Sequence, residues 1–237
     1  MPDSAPDNLS RTMTQLPDVL ADAQLRLFFG GSFDPPHSGH ASLPRTIAEH
    51  LHAPFAPIVY VPAARSPHKH SRPTPSAHRL AMMELALSEV ANTWIWTEEI
   101  ARSTHDPSIP SYWATTWKIV QERYPSGSNR FLIGADQLVA MHLWHEYETI
   151  WQDATVMLRD DHDDPEQLLG TLRSLGVWDA KQIEQWRAQI CTVPTLDVSS
   201  TRIREALGDP TQRENPIAGL DDRVHRYILE QGLYTLA

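Results

Sequence analysis

The sequence predicts an α/β fold: a doubly wound, mostly parallel sheet with helices on both faces and a small helical C-terminal part. Three observations lead there. From Leu25 onward, short apolar runs alternate with segments of helical periodicity. The first apolar run ends in Gly30 and Gly31, and a helical pattern starts a few residues later. Prolines fall mostly between the periodic segments, and no internal repeat or low-complexity tract breaks the alternation.

The elements follow in order. Residues 1–24 lack an apolar signal-peptide core and carry scattered Asp and Pro, so they read as a mobile N-terminal extension with a short helix near 16–23. LRLFFGG (25–31) is the first strand, and Leu43, Ile47 and Leu51 mark the helix after it. APIVYVPAA (56–64) is the second strand. A basic, Pro-rich loop, RSPHKHSRPTP (65–75), follows it, and Ser76 is placed to cap the next helix. TWIWTEEI (93–100) reads as the third strand, SYWATTWKIVQERY (111–124) as a helix, and NRFLIGAD (129–136) as the fourth strand. Two short helical pieces lead to ATVMLRD (154–160), the fifth strand. Helices at 164–176 and 179–189 precede ICTVP (190–194), the sixth strand, and SSTRIREAL and DDRVHRYILEQG close the chain as helices. The expected organisation is one domain over 25–237, its closing helical part spanning about 199–237.

Composition narrows the function. With 20 basic and 30 acidic residues the net charge is −10, which argues against a broad basic face for nucleic acid and leaves room for a local anion pocket. No apolar stretch approaches the length of a membrane-spanning helix. The single cysteine, Cys191, forms neither an internal disulfide nor a Cys-rich zinc site, so the expectation is a cytoplasmic protein. Only three of the basic residues are lysines (Lys69, Lys118 and Lys181), which gives weight to Lys69 in its Pro-rich loop.

The chemistry concentrates in the first strand-to-helix turn, Gly30-Gly31-Ser32-Phe33-Asp34-Pro35-Pro36-His37-Ser38-Gly39-His40. In open α/β sheets ligands bind beyond the carboxyl ends of the strands, where helix N-termini offer free N–H groups to anions. Glycines at 30 and 31 remove side chains that would keep a ligand from the backbone. His37 and His40, three apart at a helix start, place two imidazoles on one side. Such a turn suits phosphoryl or nucleotidyl transfer, which needs positioned donors for phosphate charge and no protein nucleophile. Ser199, Ser200 and Thr201 stand at the start of a helix whose first turn carries Arg202 and Arg204 and no acidic residue before Glu205, an arrangement that makes sense with an anion nearby.

These residues resemble the H-x-G-H motif of the nucleotidyltransferase superfamily, and the F-D-P form is typical of bacterial nicotinate-nucleotide adenylyltransferases. Four further segments are similar to that family in the same order. They are V-P-A-A-R-S-P-H-K at 61–69, E-I-A-R at 99–102 with P-S-Y at 110–112, I-G-A-D at 133–136 with Trp144 downstream, and V-S-S-T-R-I-R at 198–204. Trp113 stands where the family has threonine, and His145 where an aromatic residue commonly follows the tryptophan.

The resemblance implies a Rossmann-like fold and adenylyl transfer from ATP to nicotinate mononucleotide, giving deamido-NAD and pyrophosphate. It implies His37, His40, Lys69 and Arg204 as the catalytic set. Gly30, Gly31, Ser32, Phe33, Gly134, Asp136, Ser199, Ser200 and Thr201 join the two histidines and Arg204 around ATP. Ser111, Tyr112, Trp113 and Trp144 surround the acceptor. Mg²⁺ is expected on the phosphates, without an all-protein cage. Partners are the two small substrates, with no nucleic acid and no membrane. The same fold acting on the amide, on phosphopantetheine, or as a non-catalytic nucleotide-binding regulator are the alternatives. No P-loop, dinucleotide fingerprint, H-E-x-x-H or G-x-S-x-G is present. No carboxylate or cysteine accompanies His37 and His40 at zinc-ligand spacing. The Asp-rich stretch 160–164 reads as a solvated loop.

Overall fold

The computed structural model describes residues 11–64, 73–106, 111–159 and 164–235. Seven strands form one sheet: β1 (Thr12–Met13), β2 (Leu25–Gly31), β3 (Ile58–Pro62), β4 (Thr93–Trp96), β5 (Ser128–Gly134), β6 (Ala154–Arg159) and β7 (Ile190–Val193). Their order is β1-β4-β3-β2-β5-β6-β7, and every pairing is parallel. The winding reverses at β2, which pairs β3 on one side and β5 on the other. That reversal opens a crevice beyond the carboxyl ends of β2 and β5, where open α/β sheets hold ligands.

Both faces of the sheet are covered because side chains alternate along each strand. Phe28, Val59, Val61, Phe131 and Ile133 enter one apolar core with Trp117 and Trp186. Their strand neighbours Leu27, Ile58, Tyr60 and Leu132 enter the other with Ile47. The helices that cover these faces include α1 (Ser38–His50), α2 (Ser76–Leu87), α3 (Glu98–His105), α4 (Trp113–Arg123), α5 (Ala135–Ala140), α6 (Pro165–Ser174) and α7 (Ala180–Gln189). A third cluster packs Met82 of α2 against Ile203 and Leu207 of α8 (Ser200–Gly208) and Val224 and Ile228 of α9 (Asp222–Glu230). This is the small helical C-terminal part.

Three local expectations need correction. The second half of the segment expected to be a mobile extension is built into the domain: β1 pairs β4, and Leu16 and Leu20 are buried in the first core. A strand of two residues leaves no periodicity to read. The apolar run starting at Thr93 ends at Trp96 instead of continuing to Ile100, and Glu98 and Glu99 form the first turn of α3, where negative charge suits the helix dipole. Ser76 is the first helical residue of α2 and Pro75 takes the cap position, with no side-chain cap bond. Residues 1–10, Lys69 with the rest of 65–72, and Asp160, Asp161, His162 and Asp163 lie outside the described residues.

Candidate active site

A cleft of about 370 Å³ opens at the carboxyl ends of β2 and β5. Gly30, Gly31, Ser32, His40 and Gly134 line one part of it, and Ser111, Tyr112, Trp113 and Trp144 line another. The sequence motifs separated by about a hundred residues thus meet at one site.

The histidine pair is set by the start of α1. His37 caps the helix with extended backbone, and its main-chain N–H donates to His40 Nδ1 at 3.1 Å. The two rings lie 3.7 Å apart, tilted by 30°. Because Nδ1 accepts, the neutral His40 ring carries its proton on Nε2. Tyr60 of β3 donates to the His40 carbonyl at 2.9 Å, tying the first turn of α1 to the sheet. Phe33 is buried beneath, its ring edge-on to His40 at 5.0 Å, so it supports the imidazole from the core instead of facing the cleft. Burial pushes the His37 ring down to about 4, which keeps it neutral at pH 7. Gly39 lets the ring pack closely, since a Cβ there would sit 3.2 Å from the His37 ring and push it back by a few tenths of an ångström.

The other wall is aromatic. Trp113, the first residue of α4, lies against β2 because residue 30 is glycine: a Cβ at Gly30 would come within 2.8 Å of the indole. Tyr112 stacks on His145, ring centres 4.3 Å apart and 27° from parallel. The indole N–H groups of Trp113 and Trp144 are buried with no hydrogen-bond partner among the described residues. Glu99 also lines the cleft. It is 3% exposed, accepts from Thr116 Oγ1 at 3.1 Å, and is pushed up to about 7, chiefly by burial.

Among the described residues, Asp136, Ser199, Ser200, Thr201 and Arg204 are not on the cleft wall. Asp136 is exposed, and its Oδ1 lies 2.7 Å from where a Gly134 Cβ would be. Ser199 caps α8 by accepting from the Arg202 N–H, and Ser200 Oγ donates to the Pro35 carbonyl at 2.9 Å. Arg204 donates to the Asp34 carbonyl at 2.6 Å and to Thr201 Oγ1 at 3.2 Å. The helix that contains them therefore grips the motif turn from behind. Both arginines in the basic first turn of α8 are engaged by the chain itself: Arg202 pairs with Asp197, and Arg204 donates to the Asp34 carbonyl. The sequence pointed to Glu99 and His145 only as members of the motif segments beside the site and did not point to Gln137 or Leu143, yet all four line the cleft. The position of His145, next to Trp144, was the available signal. Among the described residues, no group of three or more His, Cys, Asp or Glu side chains is arranged to hold a metal ion.

Comparison with known proteins agrees with this geometry. Residues 28–206 match the cytidylyltransferase-like family. A Neisseria meningitidis serogroup C protein named probable nicotinate-nucleotide adenylyltransferase is 31% identical over 206 residues, covering 87% of this chain and 96% of its own. The nicotinate-nucleotide adenylyltransferase of Salmonella typhi is 29% identical, covering 89% and 98%. In fold, the chain is similar to the Plasmodium falciparum nicotinic acid mononucleotide adenylyltransferase complexed with NaAD. That likeness has a TM-score of 0.64 at 20% identity and covers 89% of this chain and 97% of the other. With its motif turn, aromatic wall and parallel sheet in place, this chain belongs to the cytidylyltransferase-like family and, within it, to the nicotinate-nucleotide adenylyltransferases.

Proposed function

We propose that the protein transfers the adenylyl group of ATP to nicotinate mononucleotide, forming deamido-NAD and pyrophosphate in NAD biosynthesis. The observation that carries this reading is the His37–His40 pair, which lines up a fixed imidazole donor at the strand ends beside an aromatic pocket. A phosphate oxygen of the mononucleotide attacks the α-phosphorus of ATP. The new P–O bond forms as the bond to the bridging oxygen of the β-phosphate breaks, and pyrophosphate departs with that electron pair. No protein nucleophile takes part, so catalysis consists of alignment and charge stabilisation.

In this reading His40 donates from Nε2 to the α-phosphate, and His37, neutral, lies beside it. Gly30, Gly31 and Ser32 let the phosphates approach the backbone, with Gly134 and Asp136 toward the nucleoside. Lys69 and Arg204 offset the charge of the leaving group. Ser199, Ser200 and Thr201 hold the helix that carries Arg204. Mg²⁺ enters with the substrate as MgATP. Tyr112, Trp113 and Trp144 enclose the pyridine ring, with Ser111 at their edge. The cytoplasm is the compartment this role suits.

One observation favours a second reading, transfer to the amide. A buried carboxylate, Glu99, lines the same cleft, and in its ionised form it repels an acid and accepts from a carboxamide. Isotope placement tests the main reading. Label on the α-phosphate of ATP is expected in a dinucleotide, and label on the γ-phosphate in pyrophosphate. Release of α-label as free AMP, with no dinucleotide, contradicts it.

A further inference from the structure

Asp34, inside the motif turn, is held by parts of the chain far from it in sequence. Its Oδ2 accepts the Thr74 N–H at 3.1 Å, and its Oδ1 accepts the hydroxyl of Tyr234, near the C-terminus. Arg204 donates to its carbonyl at 2.6 Å. Arg79, 1% exposed, donates to the carbonyls of Ser32 at 2.7 Å and Thr74 at 3.0 Å. Tyr234 follows α9, which is itself fastened to α2 by the His78–Tyr227 contact at 2.8 Å. The C-terminal helical part therefore reaches the motif turn through a tyrosine hydroxyl.

The turn needs such support. Phe33 has φ of 48°, in the left-handed region that a bulky side chain rarely adopts, and such a residue persists only where its surroundings over-determine it. Tyr234 has φ of 59°, so the residue that supplies the hydroxyl is held in an unfavourable conformation too. Burial and the neighbouring Asp34 push its phenol upward, so it remains a donor throughout the working range.

We propose that Tyr234 is a positioning residue for adenylyl transfer: its hydrogen bond to Asp34 holds the turn between Ser32 and His37 in the shape that presents His40 to the ATP phosphates. The proposal rests on the adenylyl-transfer reading above. Tyr234 does not line the cleft. It acts through Asp34, and its loss lets the turn sample conformations in which His40 is misaligned.

Tyr234→Phe keeps the ring and its packing and removes only the donor. The expected result is a fall in kcat of about tenfold, equivalent to a misalignment cost near 1.4 kcal/mol. KM for nicotinate mononucleotide and the thermal midpoint stay close to wild type. Asp34→Ala, which removes both the Tyr234 and the Thr74 acceptors, lowers kcat at least as much, and adding Tyr234→Phe to it produces little further loss, because the hydroxyl then has no Asp34 carboxylate to hold. Wild-type kcat in Tyr234→Phe overturns the proposal, as do losses that multiply in the double variant or a loss that merely follows a lowered thermal midpoint. Wild-type turnover, measured alongside, reports on the adenylyl-transfer reading independently of the ratio between variant and wild type.

Discussion

The main-chain N–H of His37 donates to Nδ1 of His40 at 3.1 Å, so the backbone of one histidine sets the tautomer of the other. The consequence is a neutral donor, Nε2–H, fixed in direction before any substrate arrives. His40→Ala is expected to lower kcat at least about 100-fold, or about 2.7 kcal/mol of transition-state stabilisation, with the fold retained. Steady-state pyrophosphate release by the folded variant checks this, and near wild-type turnover would exclude His40 from the chemistry.

Gly30 lets the Trp113 ring lie against β2. A Cβ at 2.8 Å from that ring is closer than real contacts allow, so Gly30→Ala must displace the indole. The expected cost is about 1–3 kcal/mol in stability and a rise of about tenfold in KM for the mononucleotide. Initial-rate measurements with each substrate varied in turn decide it: an unchanged acceptor KM would place Trp113 outside the acceptor pocket.

Glu99 gives a pH dependence whose sign follows from burial. Its carboxyl is pushed from the ordinary 4.5 up to about 7, so between those values the folded chain binds a proton that the unfolded chain has lost. Stability from this group therefore falls as pH rises through the window. Glu99→Gln is expected to gain stability relative to wild type as pH rises from 4.5 to 7, by up to about 3 kcal/mol. His37 runs the other way. Lowered from 6.5 to about 4, it contributes stability that is lost as pH falls between those values. Urea denaturation at several pH values separates the two, and a pH-independent difference between Glu99→Gln and wild type would refute the Glu99 assignment.

The segment before β2 contributes to the core through Leu20, which is 2% exposed. Leu20→Ala is expected to cost about 2–4 kcal/mol. A shift in the denaturation midpoint equivalent to less than about 0.5 kcal/mol, as a surface position would give, contradicts that packing.

What was legible in the sequence was local. Gly30, Gly31, His37 and His40 could be read because glycine, strand end and helix start are consecutive, and the strands because apolar runs bounded by turns announce themselves. The elements that were missed lacked such a signal. Thr12 and Met13 are too short a strand to show a pattern, and Glu98 and Glu99 continue directly from the apolar strand. The long-range relations were invisible for a different reason. The Tyr112–His145 stack and the Tyr234–Asp34 bond join residues 33 and 200 positions apart, and only the closed fold brings them together. Asp197 was in view beside Arg202, but the loop geometry that pairs them was not.

Adenylyl transfer to nicotinate mononucleotide is read out by pyrophosphate release from MgATP with nicotinate mononucleotide and with its amide in parallel. The expected result is release that depends on the mononucleotide and strongly favours the acid. Release with neither acceptor would contradict it. Preference for the amide would move the assignment to the reading that Glu99 supports.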